Sequence, residues 1–269
     1  MPLIFPIRPA SKLAYPRSSP GINPAHPATP GAQIAVVVNP LNANYINLLT
    51  GLGCVNTQGS QITSAIVGTD GIIGPNLTAG TGCKALGTSF PNVPVGNFTA
   101  AAIFRYTTTN GGAYQCVATA GNAWGWWMHS GKPCLYTNTD NAASFTPTVG
   151  RCYFIAMSAP LFSGSIINYV MRDMITGQVF TSSVSQTSAA SSTNLWTIGN
   201  DTSNEFSNFP LAVAMISTTV LSMPQLRQWA DDPWGFWFPQ QFDITSAIRH
   251  AVSAAVVTKS STLPMMGVG

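Results

Sequence analysis

Charge is what this sequence has least of. Of its 269 residues only 7% are charged, against about 25% in an ordinary globular chain. Lys and Arg total 11, Asp and Glu total 8, and the net charge is +3 with no run of either sign. Binding to nucleic acid by counterion release has nothing to act through, so no nucleic-acid partner is expected. The acids are seven Asp and the single Glu205, too few for a carboxylate-rich metal enzyme. No apolar stretch reaches the roughly 20 residues that span a bilayer, so no membrane partner is expected. Met1–Ala10 has neither a positive n-region nor an apolar h-region, and a secretory leader is not expected either. The chain holds three His, and no two of its five Cys have C-x-x-C spacing, which removes the zinc-site reading. No internal repeat is visible.

What is present is apolar and neutral. Hydrophobic residues make up 45% and aromatics 10%, well above disordered compositions. Ser, Thr and Asn together make up about a quarter of the chain, alongside 24 Gly and 20 Pro. Thr favours strands, whereas Ser, Asn and Gly favour turns, so the mixture points to an all-β protein with many turns. Cys54, Cys83, Cys116, Cys134 and Cys152 read either as small buried hydrophobes or as partners in disulfides formed after release from the cell. Cys116 and Cys134 flank an expected hairpin and form the best candidate disulfide.

Three segments follow from the pattern. Residues 1–31 carry Pro2, Pro6, Pro9, Pro16, Pro20, Pro24, Pro27 and Pro30, which exclude helix and central strand. This is an extended N-terminal arm. Its Phe5, Ile7, Leu13 and Tyr15 are too apolar for a solvated linker and are expected to dock on a neighbouring subunit. Residues 32–240 form the body, with expected strands at 33–38, 62–67, 84–88, 98–107, 113–119, 123–129, 133–137, 152–158, 166–172, 178–181, 195–198 and 210–217. Turn signals such as Ser130-Gly131 and Thr176-Gly177 separate them. One helix is marked: Ser222 and Gln225 make a capping box, Pro224 suits the first turn, and Pro233 ends it. Residues 241–269 are a C-terminal tail or second arm.

Gly80–Leu86, Phe98–Tyr106, Trp124–Trp127, Gly150–Met157, Leu195–Asn200 and Phe209–Ile216 are spread along the body as packing motifs. The most specific is Leu221–Pro233, reading LSMPQLRQWADDP. Through them the chain resembles the concanavalin A-like jelly rolls in their laminin-G/pentraxin-like form. Tyr153 stands where that family usually has Trp, and Pro210-Leu211 replaces its Gly step. The resemblance implies a two-sheet antiparallel sandwich with one short helix and extended terminal arms. The aromatics after the helix, the Pro-rich arm and the Ser/Thr/Asn surface look like a bacteriophage virion protein of the head-decoration, collar or fibre type.

The chemistry that could be present is sparse. Glycoside hydrolysis needs two carboxylates flanking the bond, about 5–5.5 Å apart for retention. No expected strand carries two acids on one face, and Glu205 lies in a turn. There is no G-x-S-x-G elbow. His26 lies in the arm, His129 ends an aromatic strand five residues before Cys134, and His250 lies in the tail. A chain that is not an enzyme and needs no cofactor is expected. Asn138, Asp140 and Asn141, and likewise Asp201, Asn204 and Glu205, have the oxygens of a calcium site. Capping of their own turns is the favoured reading of both clusters. Trp124 and Trp126 share one face of a strand, with Trp127 opposite, and are candidates for a glycan platform or a subunit interface; core on one face and an interface on the other is the favoured reading. The expected function is structural, within a virion, with other virion proteins as partners. A homo-oligomer is expected, and a trimer suits projecting fibres. The alternative is a carbohydrate-binding module for adsorption to a host-surface glycan.

Overall fold

The computed structural model describes residues 20–38, 45–53, 63–66, 73–76, 96–107, 114–120, 124–189, 196–198 and 211–238. Within them lie β1 (Ala32–Val38), β2 (Tyr45–Asn47), β3 (Leu52–Gly53), β4 (Thr63–Ile66), β5 (Ile73–Asn76), β6 (Asn97–Arg105), β7 (Tyr114–Ala120) and β8 (Trp124–His129). They are followed by β9 (Lys132–Tyr136), β10 (Asp140–Ala142), β11 (Cys152–Pro160), β12 (Ile166–Asp173), β13 (Val179–Ser185), β14 (Trp196–Ile198), β15 (Leu211–Ser217) and one α-helix, α1 (Met223–Asp231). Thr29–Gly31 form a short 3-10 turn around Pro30, a correction to the expectation that the prolines of residues 1–31 exclude helix, since proline fits the first turn of a helix. The strand expected at 84–88 lies outside the described residues.

The protein is an all-β sandwich. One sheet has eight antiparallel strands in the order β13-β12-β11-β6-β15-β1-β2-β3, and the facing sheet has five in the order β10-β9-β8-β7-β14. β4 and β5 form a separate hairpin. The turn joining β8 to β9 is Ser130-Gly131, with φ of 50° and 76°. Two successive positive φ values match the right-handed twist of a tight hairpin.

The inner faces of the two sheets meet in a core that includes Phe98, Phe104, Trp124, Trp126, Tyr153, Tyr169 and Ile216. The outer face of the large sheet is buried as well. Ala35, Val37, Ile103, Phe154, Val170, Val213 and Met215 pack against Leu226 and Trp229 of α1 and against Trp234, Phe236, Trp237 and Phe238 beyond it. The molecule therefore has three layers. The central strands are buried on both faces, so β11 and β15 read as continuous apolar runs. A register shift between Leu211 and Val213 lets β15 present Leu211, Ala214 and Ile216 inward.

α1 is stapled as its sequence requires. Gln225 Oε1 accepts the Ser222 backbone N–H at 2.9 Å, and Asp232, before Pro233, leaves the helical region at φ −135°. The Leu221 N–H donates to the buried Ser158 hydroxyl at 2.7 Å, which fixes the helix entry on β11.

Residues 21–31, grouped with the arm by their prolines, lie on the body as a strap along the aromatic layer. Gly21 and Asn23 N–H donate to Trp237 and Phe236 carbonyls, both at 2.8 Å, and the Ser217 hydroxyl donates to Ala28 O at 2.7 Å. Gly31 is required at the crossing with the end of β15, because a Cβ there would stand 2.7 Å from Thr219 N.

Candidate functional site

The candidate aromatic pair, Trp124 and Trp126, is a core feature. Trp124 and Trp126 are 0% and 1% exposed, on the inner face of β8. They meet Phe98 and Phe104 edge-on, with ring centroids at 5.2 and 6.2 Å. Neither can stack on a sugar or touch a neighbouring subunit. The shared face read from strand alternation is right, and it is the core side, because β8 lies inside a sheet whose inner face is the core. Trp127, on the opposite face, is also buried and meets Tyr136 at 5.3 Å.

The expected Cys116–Cys134 disulfide is likewise corrected. Cys116 pairs with Trp127 from β7, and Cys134 pairs with Trp127 from β9. Two strand spacings of about 4.8 Å separate the backbones, beyond the roughly 7 Å that a disulfide spans between Cα atoms. Cys134 and Cys152 are buried thiols, neither of them in a disulfide.

Phe5, Ile7, Leu13 and Tyr15 lie outside the described residues, as do Asp201, Asn204, Glu205 and His250. The other oxygen cluster is split by strand alternation. Asn141 is buried and turned inward: its amide donates to Leu135 O, Thr137 Oγ1 and Thr139 O at 3.0–3.1 Å, and its Oδ1 accepts the Thr187 N–H at 3.2 Å. Asp140 faces the other way, and Asn138 is exposed in a left-handed turn with φ 66°.

Two side-chain groupings could carry chemistry. In the first, Asp140 Oδ2 holds His129 Nδ1 at 2.9 Å while Oδ1 accepts from the Cys134 thiol at 3.6 Å. Sequence spacing places His129 near Cys134 without an orienting group; β10 supplies that group by folding back beside β9. Burial, and then the Asp140 charge, push the Cys134 thiol up. It stays protonated and is not an activated nucleophile.

The second is a cleft of about 170 Å³ between the strap and α1. Asn23 and His26 stand on the strap side, and Gln225, Gln228, Trp229 and Asp232 stand on the helix side. Asn23 clamps the strap: its amide donates to Gly235 O at 3.0 Å and its Oδ1 accepts the Ala25 N–H. Gly235 lets the chain turn here, since a Cβ would stand 2.8 Å from Asp232 Oδ2. The His26 ring meets Trp229 at 4.3 Å and Phe236 at 5.3 Å, and its Nδ1 accepts the Ala28 N–H at 3.2 Å. Burial lowers its pKa from 6.5 to about 4, so the imidazole is neutral near pH 7. Its surroundings are amides, one carboxylate and aromatic rings, suited to a neutral hydroxylated ligand. The sequence signal was Trp229 on a capped helix; a lone His in a Pro-rich segment gave no sign of its partner.

No family model matches the chain, and no curated protein matches it. Solved structures with a related arrangement of strands include a Trypanosoma rangeli sialidase, 8% identical with TM-score 0.47, covering 76% of this chain and 33% of that one. Domain 4 of a GH43 extracellular arabinanase from Geobacillus stearothermophilus, solved with arabinotriose, is 11% identical with TM-score 0.46, covering 74% and 98%. The enzymatically active domain of tailspike protein 2 of bacteriophage CBA120 is 12% identical with TM-score 0.42, covering 65% and 29%. The chain thus spans about a third of the sialidase's length. The expectation that the chain is not an enzyme is corrected by these neighbours, which include a sialidase and an arabinanase domain.

Proposed function

We propose that this chain is a structural protein of a phage particle, a decoration, collar or fibre component that binds neighbouring virion subunits through its apolar N-terminal segment. The observation that supports this most directly is the strap. Residues 21–31 are tied to the aromatic layer by backbone bonds, by Asn23 and by the Ser217 hydroxyl. Upstream of it, exposed Pro20 leads to the residues that include Phe5, Ile7, Leu13 and Tyr15. A segment held at its root in this way transmits load to a packed body, as a cementing arm must.

Removal of residues 1–19 tests this directly, because it leaves the strap intact. Full-length protein counted by quantitative peptide mass spectrometry in purified particles is expected at a reproducible ratio to the major capsid protein. The truncated form is expected to fold and to be lost from particles. Absence of the full-length chain from particles overturns the reading.

A second reading, glycan binding for adsorption, is favoured by one observation, the cleft beside His26 lined by amides, aromatic rings and the Asp232 carboxylate. Glycan binding would survive removal of residues 1–19 and fall with Gln228→Ala, so the two readings separate in one pair of variants.

A further inference from the structure

Among the described residues the large sheet ends in β13, and this strand carries none of the sequence devices that keep sheet edges from pairing. Val179–Ser185 reads VFTSSVS, with no charge, Pro or Gly. It runs in unbroken register with β12 over seven pairs, without a bulge. Among the described residues, no hydrogen bond reaches its backbone from the side away from β12. The other terminal strands of the two sheets are much shorter: β3 has two residues, and β10 and β14 have three each.

We propose that β13 pairs antiparallel with β13 of a second copy of this chain, joining two large sheets into one across a two-fold axis. The strand is complementary to itself. In the full-overlap register Ser182 sits opposite Ser182 of the second copy, and outer-face residues meet outer-face residues. Thr181 lies opposite Ser183, and Val179 opposite Ser185. Val179, 37% exposed, then reaches the side of the second copy's Ile166, 49% exposed and paired with Ser185. On the inner face, Phe180 lies opposite Val184. Both are only partly buried at the flank of the core, and an aromatic facing a β-branched residue is a favourable cross-strand pair. The pairing covers that flank twice.

Charge does not oppose it. No charged residue occurs between Asp173 and Asp201. Arg172 is held by Asp231 at 3.0 Å, and Arg227 lies over the outer face, bonded to Thr181. A second copy fits this edge better than a charged or Pro-rich partner, because each chain brings the same neutral strand and the contact closes on itself. One long edge among the described residues gives a dimer in place of the trimer that suits a fibre. The pairing does not depend on a virion role.

The test uses the full-length chain in sedimentation equilibrium from about 1 to 100 µM, the range in which a modest interface shows. A species of twice 28.3 kDa is expected. Val184→Lys places a charge at the seam that can reach water in the monomer but not in the dimer, and is expected to weaken association at least about tenfold. Ser182→Cys, which leaves Val184 in place, is expected to give a disulfide-linked dimer under mild oxidation. A monomer throughout, a dimer that a folded Val184→Lys variant leaves intact, or a Ser182→Cys chain that does not cross-link overturns the proposal.

Discussion

Acid should loosen this protein through His26. The ring is packed against Trp229 and Phe236, its Nδ1 accepts the Ala28 N–H, and burial lowers its pKa from 6.5 to about 4. An unfolded chain takes up the proton near pH 6.5, whereas the folded one resists until about pH 4. Between those values the unfolded state binds more protons, so stability falls as pH falls and levels off below about pH 4. At 1.36 kcal/mol per pKa unit the loss comes to about 3 kcal/mol. The assay is urea denaturation at constant ionic strength from about pH 7.5 to 4, on wild type and His26→Phe, with linear extrapolation. The Phe ring keeps the aromatic contact and removes the proton site. Near pH 7 the variant should be less stable by about 1 kcal/mol for the lost Ala28 hydrogen bond. As the pH drops the wild type should lose that advantage and fall below the variant. A difference that stays constant across the window refutes the reasoning, as would an NMR titration placing the His26 midpoint above about 6.

Three further outcomes follow from the two sheets. Tyr169→Phe should cost about 2–3 kcal/mol in chemical denaturation, because the buried Tyr169 hydroxyl accepts the Leu135 N–H at 3.0 Å and donates to Asn141 O, tying the large sheet to the small one. Cys134 and Cys152 should resist iodoacetamide in the native protein at about pH 8 and react in urea, since both are buried and the Cys134 thiol is pushed up. A non-reducing peptide map should show no Cys116–Cys134 linkage, and finding one would refute the register of β7, β8 and β9.

Local signals carried far in this sequence, and long-range ones did not. The capping box at Ser222 and Gln225, the stop at Pro233 and the parity of Trp124, Trp126 and Trp127 are all set by neighbours a few residues apart, and each was readable. Burial was not. Alternation along β8 says which residues share a face, and only the assembled layers say whether that face meets water. Cys116 and Cys134 flank what reads as one hairpin, yet the chain passes through β8 between them and keeps them two strands apart. The prolines of residues 1–31 read as an arm in the sequence, but such a segment can lie on its own body as readily as on a neighbour. The contacts that decide it, Asn23 with Gly235 and Ala28 with Ser217, join residues 212 and 189 positions apart. The cleft at His26 depends on the first of these and left no trace in local spacing.

Scarcity of charge sets how this fold is held and what it can meet. Where a charge is buried it is surrounded: Asp173 accepts from Arg151 at 2.7 Å and from the Ile175 and Thr176 N–H groups, which hold its carboxyl below the usual carboxylate range. Elsewhere neutral hydroxyls and amides join the layers. Ser158 receives the helix entry and bonds Thr99, Asn141 ties β9 and β10 to the segment after β13, and Ser217 anchors the strap. Such bonds are short-ranged and are satisfied internally, so they give the surface little long-range field. Encounters between copies are then decided by shape and by whatever backbone remains unpaired. Within the described residues the longest terminal strand of either sheet is β13, which is why a chain so lightly charged would choose its partner at a sheet edge and not through an ionic patch.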